Sequence, residues 1–218
     1  MAVQQVEQSV SIVVLGAFNP SIFLPGWFAK EDLVREKDAE SAEIEIVHPE
    51  VTVFTLDWLR LEATRERLVV RSDRESHYEV ARDLVCGALD LLRHTPAGKV
   101  GVNHDVVFEC GSREAFDNFG WKLVPQGPWN QVLDRPGTAR IDEQGRRTDD
   151  YDGYIRVRIE PILDGGTRVR VGVNDHFELS KENSSSSTEC ISALLQDEWA
   201  TIAKRASEIL SHMKGLVR

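Results

Sequence analysis

The sequence predicts an α+β chain of two successive halves, residues 1–97 and 98–218, packed closely enough to count as one domain. Each half begins with a β-branched strand, continues through short aromatic helices into three or four strands, and ends in a long amphipathic helix. The string Thr95-Pro96-Ala97-Gly98 separates the halves, which share this pattern but few residue identities. Side by side, they are expected to form one long, curved antiparallel sheet with both long helices on one face.

The first half begins with an apolar, β-branched run over residues 9–17, which is typical of a buried strand. Trp27 and Phe28 follow in a short helical segment next to Pro25 and Gly26. Short strands are then predicted over residues 43–47, 51–55, 58–64 and 67–71. Residues 76–94 repeat apolar side chains at helical spacing, which predicts the first long helix.

The second half repeats that order with a longer polar insertion. A strand is predicted over residues 99–110, short helices over 112–123 and 128–133, and a polar, mobile loop over 134–152. Residues 154–162 and 167–179 alternate apolar and polar side chains, which predicts two strands joined as a hairpin. Apolar side chains at helical spacing predict the last helix over residues 188–214.

Composition narrows the class of protein. At 218 residues and 41% hydrophobic content, the chain can bury a core of its own. No apolar run approaches the roughly 18–20 residues that cross a bilayer, and residues 1–8 lack the features of a signal peptide. The net charge of −10 opposes binding to nucleic acid and to anionic membranes. Cys86, Cys110 and Cys190 fit no disulfide framework, so a cytoplasmic protein is expected.

The predicted hairpin over residues 154–179 is the most informative segment. A three-residue loop, residues 164–166, keeps the apolar side chains of both strands on one face, whereas a two-residue loop would mismatch them. This register predicts four outward-facing pairs: Tyr154 with His176, Arg156 with Asn174, Arg158 with Gly172, and Glu160 with Arg170.

Arginines concentrate on that outer face of an otherwise acidic chain. Only one of the four hairpin arginines has an obvious acid across the strands, and the guanidinium fork suits carboxylate and phosphate groups. The pattern therefore indicates a surface for an anion or an acidic partner. The alternative is a solvated face whose arginines pair with acids of neighbouring strands, such as Glu62. The predicted partner- or anion-binding residues are Arg60, Tyr154, Arg156, Arg158, Arg168, Arg170, Asn174 and His176.

Two polar strings, residues 103–105 (Asn-His-Asp) and 174–176 (Asn-Asp-His), contain the residue types of acid–base chemistry and metal binding. Strand alternation places His104 and Asp175 inside and their neighbours outside. His104 is therefore expected to be a hydrogen-bonded interior histidine. Adjacent strand residues point to opposite faces and cannot chelate one ion, so no metal site is assigned.

Aromatic residues cluster after the first strand of each half. Pro25-Gly26-Trp27 and Gly127-Pro128-Trp129 are locally alike, and Phe28 and Trp121 lie nearby. One interpretation is that these side chains plug the open ends of the core. The other is that they form a pair of equivalent anchors for a protein partner.

The predicted order of elements resembles the saddle of the TATA-binding protein and related folds with helices on a curved sheet. This resemblance covers most of the chain and implies no functional residue. The following strings resemble a group of uncharacterised bacterial proteins of similar length: Asn19-Pro20 with Pro25-Gly26-Trp27, His94-Thr95-Pro96 with Gly101-Val102-Asn103, and Asn174-Asp175-His176-Phe177-Glu178. That second resemblance implies a bacterial source.

The leading functional hypothesis is a non-enzymatic binding or assembly module. The sequence has no Gly-x-Ser-x-Gly elbow and no glycine-rich phosphate loop, so no catalytic residue or cofactor is assigned. A sheet covered on one side favours a protein partner, either another protein or a second copy of this chain, at the open face or an edge. A second hypothesis is a small-molecule or metal-assisted enzyme that uses His176 with Asp105 or nearby acids. A third is anion or nucleic-acid binding by the hairpin arginines, although the net charge opposes nucleic acid.

Overall fold

The computed structural model describes residues 3–179 and 187–217. The elements up to residue 91 are β1 (Gln4–Gly16), α1 (Pro25–Lys30), α2 (Glu36–Glu40), β2 (Glu43–His48), β3 (Val51–Leu56), β4 (Leu59–Thr64), β5 (Arg67–Ser72) and α3 (Tyr78–Leu91). The later elements are β6 (Ala97–Glu109), α4 (Arg113–Leu123), β7 (Ile141–Arg146), β8 (Gly153–Pro161), β9 (Arg168–Glu178) and α5 (Ser187–Leu216). Short 3-10 turns cover Pro20–Ile22, Glu75–His77 and Trp129–Gln131.

The nine described strands form one antiparallel sheet in the order β2-β3-β4-β5-β1-β6-β9-β8-β7. The predicted α+β class with a single large antiparallel sheet is therefore confirmed. β1 and β6 pair at the centre, from Gln4 opposite Glu109 to Gly16 opposite Ala97. β1 begins at Gln4 rather than at residue 9, because backbone pairing with β6 holds a polar stretch that carries no apolar signal.

Helices cover one face of the sheet, because alternate side chains of the central strands are apolar. Val10, Ile12 and Val14 of β1 are buried in one cluster with Leu84 of α3 and Leu195 of α5. Burying each such side chain contributes roughly 1.5–3 kcal/mol. α3 and α5 also pack against each other, so the two long helices form one layer.

The aromatic residues are split between the core and the surface. Phe28 is buried in the cluster under α3 and α5, and Trp27 packs against that cluster. Phe119 of α4 is buried in a second cluster, with side chains of β6 and β9. Trp121 and Trp129 are 49% and 47% exposed, so the interpretation as core plugs is wrong for these two side chains.

The opposite face of the sheet, which we call the open face, is not covered by any helix that the structure describes. Ser11 and Val13 of β1, Asn103 of β6 and Asn174 of β9 point to it, because each alternates with a neighbour on the helix side. None of the described helices has both the length and the apolar character required to cross a membrane.

The prediction of a loop over residues 134–152 is wrong for Ile141–Arg146, which form the strand β7. Its pairing with β8 runs from Ile141 opposite Ile159 to Arg146 opposite Tyr154. Every residue of β7 after Ile141 is exposed, so this edge strand lacks the apolar alternation by which strands are recognised in a sequence. Backbone hydrogen bonds to a single neighbour define it instead.

Candidate functional site

The predicted binding residues, except Arg60, lie together on β8 and β9 at the open face. The register is the predicted one, with the pairs Tyr154–His176, Arg156–Asn174, Arg158–Gly172 and Glu160–Arg170. Arg60 lies on β4, four strand spacings from β9, which is about 19 Å at 4.8 Å per strand. Arg60 therefore does not belong to the same site.

Two glycines on neighbouring strands lower the middle of the open face. A Cβ at Gly172 would lie 2.5 Å from Oδ1 of Asp105, and a Cβ at Gly101 would lie 2.8 Å from Nδ2 of Asn174. The side chains of Asp105 and Asn174 therefore extend over space that larger residues would fill. Clefts of 440 Å³ and 310 Å³ open at this place and share Asp105. We call the two clefts together the central groove.

Two exposed arginines, Arg71 of β5 and Arg170 of β9, line the larger cleft beside Asp105. Within residues 3–179 and 187–217, neither side chain forms a hydrogen bond or an ion pair. Burial raises the pKa of the Asp105 carboxyl group, and the positive charges of Arg71, Arg170 and Arg158 oppose that rise. This cleft thus combines three carboxyl groups, those of half-buried Asp105 and of Glu7 and Asp73, with two guanidinium groups whose donors are unused by the described chain. Arg71 was not among the predicted binding residues, although its outward position in a predicted strand was available as a signal.

A row of polar side chains crosses the floor of the central groove. Nδ2 of Asn174 donates to Oδ1 of Asn103 at 2.7 Å, and Nδ2 of Asn103 donates to Oγ of Ser11 at 3.2 Å. The three residues lie on adjacent strands, since Asn103 pairs with both Ser11 and Asn174. The row fixes the orientation of both amides and presents polar atoms to anything lying in the groove.

An aromatic wall bounds the smaller cleft. The rings of Tyr154 and His176 stack with centroids 4.5 Å apart, and the guanidinium of Arg156 lies 4.9 Å from the Tyr154 centroid. Nε2 of His176 lies 3.6 Å from the Glu178 carboxylate. Burial lowers the pKa of His176, and Glu178 opposes that change. His176 therefore contributes a flat, mostly neutral ring at neutral pH.

The other hairpin arginines already have partners within the sheet. Arg158 donates to Asp142 at 2.9 Å, Arg156 donates to Gln144 at 2.8 Å, and Arg168 pairs with Asp164. Across the hairpin itself, Arg170 is opposite the acid Glu160, as predicted. Arg158 and Arg156 take partners from β7, which agrees with the alternative that hairpin arginines pair with a neighbouring strand.

The first-half arginines are paired as well. Arg60 donates to Glu45 at 2.9 Å, and Glu62 binds Arg67 at 2.5 Å. Glu62 therefore belongs to the far half of the open face and is not a partner of the hairpin arginines. It lies 3.8 Å from Arg60.

Of the acids that the enzyme hypothesis pairs with His176, Glu178 lies nearby at 3.6 Å, whereas the pairing with Asp105 is not formed. His176 lies opposite Gly101, whereas Gly172 lies opposite Asp105. The two side chains are thus separated by four residues along the strands, about 13 Å at 3.3 Å per residue. This distance is too large for direct proton transfer between them. In the part of the chain that the structure describes, no group of three or more His, Cys, Asp and Glu side chains could hold a metal ion.

Comparison with known proteins gives no family for the chain. No family model matches the sequence, and no curated protein is significantly similar to it. The functional interpretation therefore rests on the geometry of the open face and on the charges placed there.

A cluster of buried charges on the helix side was missed by sequence analysis. Asp175 is buried as predicted, and it pairs with Arg147 and Arg205. Asp149 binds the same arginines at 2.5 Å and 2.8 Å, and Arg147 lowers its pKa to about 2. The Arg147 guanidinium also lies 3.7 Å from the Phe177 ring centroid. Each charge is compensated within the cluster, which indicates a structural tie between α5, β9 and the segment after β7.

His104 lies on the helix side as predicted, but the predicted hydrogen bond is not confirmed at Nδ1. That nitrogen is buried and has no hydrogen-bond partner. The ring lies 6.5 Å from the Trp199 ring, and burial lowers the pKa of His104 to about 4. His104 is therefore a neutral, partly buried residue on the helix side, and its titration affects stability rather than the open face.

Proposed function

We propose that the chain is a non-enzymatic binding module whose central groove holds an extended segment of a partner protein. One observation carries the proposal: Arg71 and Arg170 are exposed beside an uncovered groove and use none of their donors within the described chain. Their neighbours Arg156, Arg158 and Arg168 are held by partners in the sheet or its hairpin loop. A surface that leaves two guanidinium groups unused can bind an additional acceptor without first breaking an ion pair.

The composition of the groove suits a peptide segment. Arg71 and Arg170 offer forked donors to a carboxylate or to backbone carbonyls. Asn103 and Asn174 present amide groups that can pair with a peptide backbone, while Tyr154 and His176 offer a flat aromatic wall. Aromatic and arginine side chains are the types that protein interfaces enrich. We therefore expect the segment to carry an acidic side chain or a terminal carboxylate at its Arg71–Arg170 end.

A library of displayed random peptides provides the probe for this proposal. Peptides selected on the wild-type protein are measured by isothermal titration calorimetry against the wild type and Arg170→Glu. Arg170 is exposed and forms no hydrogen bond or ion pair in the described chain, so the substitution breaks no such contact. It places a carboxylate opposite Glu160, so circular dichroism checks that the variant is folded. Loss of a charge-assisted hydrogen bond costs about 1.5–3 kcal/mol, so we expect binding to weaken about tenfold or more.

Lys204→Glu is the matched control, since it makes the same charge change at an exposed site of α5 on the helix side. Binding should be nearly unchanged in that variant. Ring resonances of Tyr154 and His176 should shift when a selected peptide binds. The proposal is wrong if no peptide is enriched, or if Arg170→Glu and Lys204→Glu bind it equally well.

Nucleic acid is the competing ligand for the same arginines. Fluorescence anisotropy with single-stranded and duplex oligonucleotides at low salt separates the two ligands. The net charge of −10 opposes nucleic-acid binding, so we expect none. Binding that weakens steeply with salt and is lost in Arg170→Glu would replace the peptide proposal with the nucleic-acid one.

We also propose that the fold consists of two related halves, residues 1–97 and 98–218, arranged as in the saddle of the TATA-binding protein. The strand order supports this proposal, because β1 and β6 meet at the centre and β5 and β9 flank them in corresponding positions. A cytoplasmic location remains part of the proposal. The free thiols of Cys86, Cys110 and Cys190 are compatible with it.

A further inference from the structure

A cleft of 300 Å³ lies on the helix side of the sheet, between the start of α3, the second half of α5 and the central strands β1 and β6. Three small residues at helical spacing, Ala203, Ser207 and Ser211, line it from α5. Because residues four apart share one face of a helix, α5 presents side chains here that are too small to fill the space above the strands. We call this space the helix-side cleft.

Two residues that line the helix-side cleft, Tyr78 of α3 and His104 of β6, each have a buried polar atom. Within residues 3–179 and 187–217, the Tyr78 hydroxyl and Nδ1 of His104 have no hydrogen-bond partner. Burial disfavours a charge on either group, since it raises the pKa of Tyr78 to about 12 and lowers the pKa of His104 to about 4. Buried polar groups without a partner are rare in native proteins. The two atoms therefore indicate a polar group supplied from outside the described chain.

Apolar side chains form part of the remaining lining, namely Val106, Phe108 and Leu210. Apolar surface of this kind binds the hydrocarbon part of a ligand by removing it from water. A cavity of roughly 150 Å³ is large enough for benzene. The helix-side cleft, at 300 Å³, therefore accommodates a six-membered ring with substituents.

The charged side chains of the cleft favour an uncharged ligand. Glu75 and Lys214 line it with opposite charges, and Glu75 already accepts a hydrogen bond from Gln8 at 2.9 Å. Asp105 also belongs to the lining, but its carboxylate lies over Gly172 on the open face. The lining thus has no excess of either sign on the helix side, and burial disfavours an ionic group beside the two neutral polar atoms.

We propose that the helix-side cleft binds a small uncharged molecule that carries a hydroxyl group on an apolar ring, such as a phenol. A hydroxyl group both donates and accepts hydrogen bonds, so it matches the Tyr78 hydroxyl and Nδ1 of His104 whichever ring nitrogen carries the proton. The ring packs against Phe108 and its apolar neighbours. This site lies on the opposite side of the sheet from the central groove, so the proposal does not depend on peptide binding.

Chemical-shift titration by NMR tests the site with p-cresol, and toluene is the same ring without the hydroxyl group. p-Cresol should shift the amide resonances of residues 104–108 and 203–211. Toluene should bind about tenfold more weakly, because it leaves the two buried polar atoms unpaired. 4-Methylbenzoate, which carries a charge in place of the hydroxyl group, should also bind more weakly than p-cresol. The proposal is overturned if toluene or 4-methylbenzoate binds as tightly as p-cresol. It is also overturned if p-cresol at millimolar concentration causes no shift, since the cleft would then hold water only.

Tyr78→Phe removes the unpaired hydroxyl and keeps the ring, so it isolates the hydrogen bond to the ligand. This variant should bind p-cresol about tenfold more weakly than the wild type and should bind toluene equally well. Tyr151→Phe is the matched control, since it makes the same change outside the cleft, where the hydroxyl donates to Glu198 at 3.4 Å. Its affinity for p-cresol should equal that of the wild type. Equal affinities of Tyr78→Phe and Tyr151→Phe for p-cresol would contradict the proposal.

Ser207→Phe provides a second, independent test of the location. Ser207 is exposed at the lining of the cleft, so the larger ring should fill the space without entering the core. Binding of both p-cresol and toluene should be lost in this variant, and circular dichroism checks that it is folded. Undiminished binding to folded Ser207→Phe would place the ligand elsewhere and overturn the proposal.

Discussion

His104 should make the stability of the protein fall between pH 7 and pH 5. Burial lowers its pKa to about 4 in the folded chain, against about 6.5 in an unfolded chain. The folded state therefore favours the neutral ring, and its contribution to stability is complete above pH 7 and decreases as the pH falls toward 4. With these two pKa values, linkage gives a loss of about 2 kcal/mol between pH 7 and pH 5. The loss at still lower pH approaches a ceiling of about 3.4 kcal/mol.

Urea denaturation of the wild type and of His104→Leu at pH 7 and pH 5 measures this loss. Leucine keeps an apolar side chain beside Trp199 and cannot titrate. The wild type should lose about 2 kcal/mol more than the variant over that interval. His176 and the carboxylates titrate in both proteins and cancel in the comparison. If the two proteins lose the same free energy of unfolding, His104 is not held neutral by the fold and the reasoning fails.

Two further substitutions test the packing that supports the open face. Asp175→Asn leaves Arg147 and Arg205 without their shared buried carboxylate. Chemical denaturation at pH 7 should therefore show a loss of about 3–5 kcal/mol in the free energy of unfolding. A change below about 1 kcal/mol would mean that the cluster is not structural. Gly153→Ala should destabilise by about 2 kcal/mol or more, because φ is +133° and the added Cβ would lie 2.0 Å from the His176 carbonyl oxygen. Gly145→Ala on β7 meets open space, so its melting temperature should match the wild type while that of Gly153→Ala falls.

The part of the site that depends on strand alternation could be predicted from the sequence. A strand has a side-chain period of two, and the loop of residues 164–166 fixes the relative phase of β8 and β9. These two facts determine that Tyr154 lies opposite His176, as the structure shows. The same rule places Asp175 inside. Such predictions succeed because they use only local geometry.

Which arginines are paired and which are unpaired could not be predicted in the same way. Arg158 and Arg156 find their partners on β7, an exposed edge strand whose sequence resembles a loop. Arg71 approaches Asp105 and Arg170 only because β5, β1, β6 and β9 are neighbours in the sheet. Pairing across strands that are distant in sequence is set by the fold as a whole, so no local pattern indicates which arginine remains unpaired.

The open face uses its arginines in two ways. Arg158 and Arg156 tie β8 to the edge strand β7 through Asp142 and Gln144, so they hold the hairpin that carries Tyr154 and His176. Arg71 and Arg170 use none of their donors within the described chain and lie beside Asp105 in the central groove. Under the peptide-binding proposal, the paired arginines stiffen the sheet and the two unpaired arginines provide the binding energy.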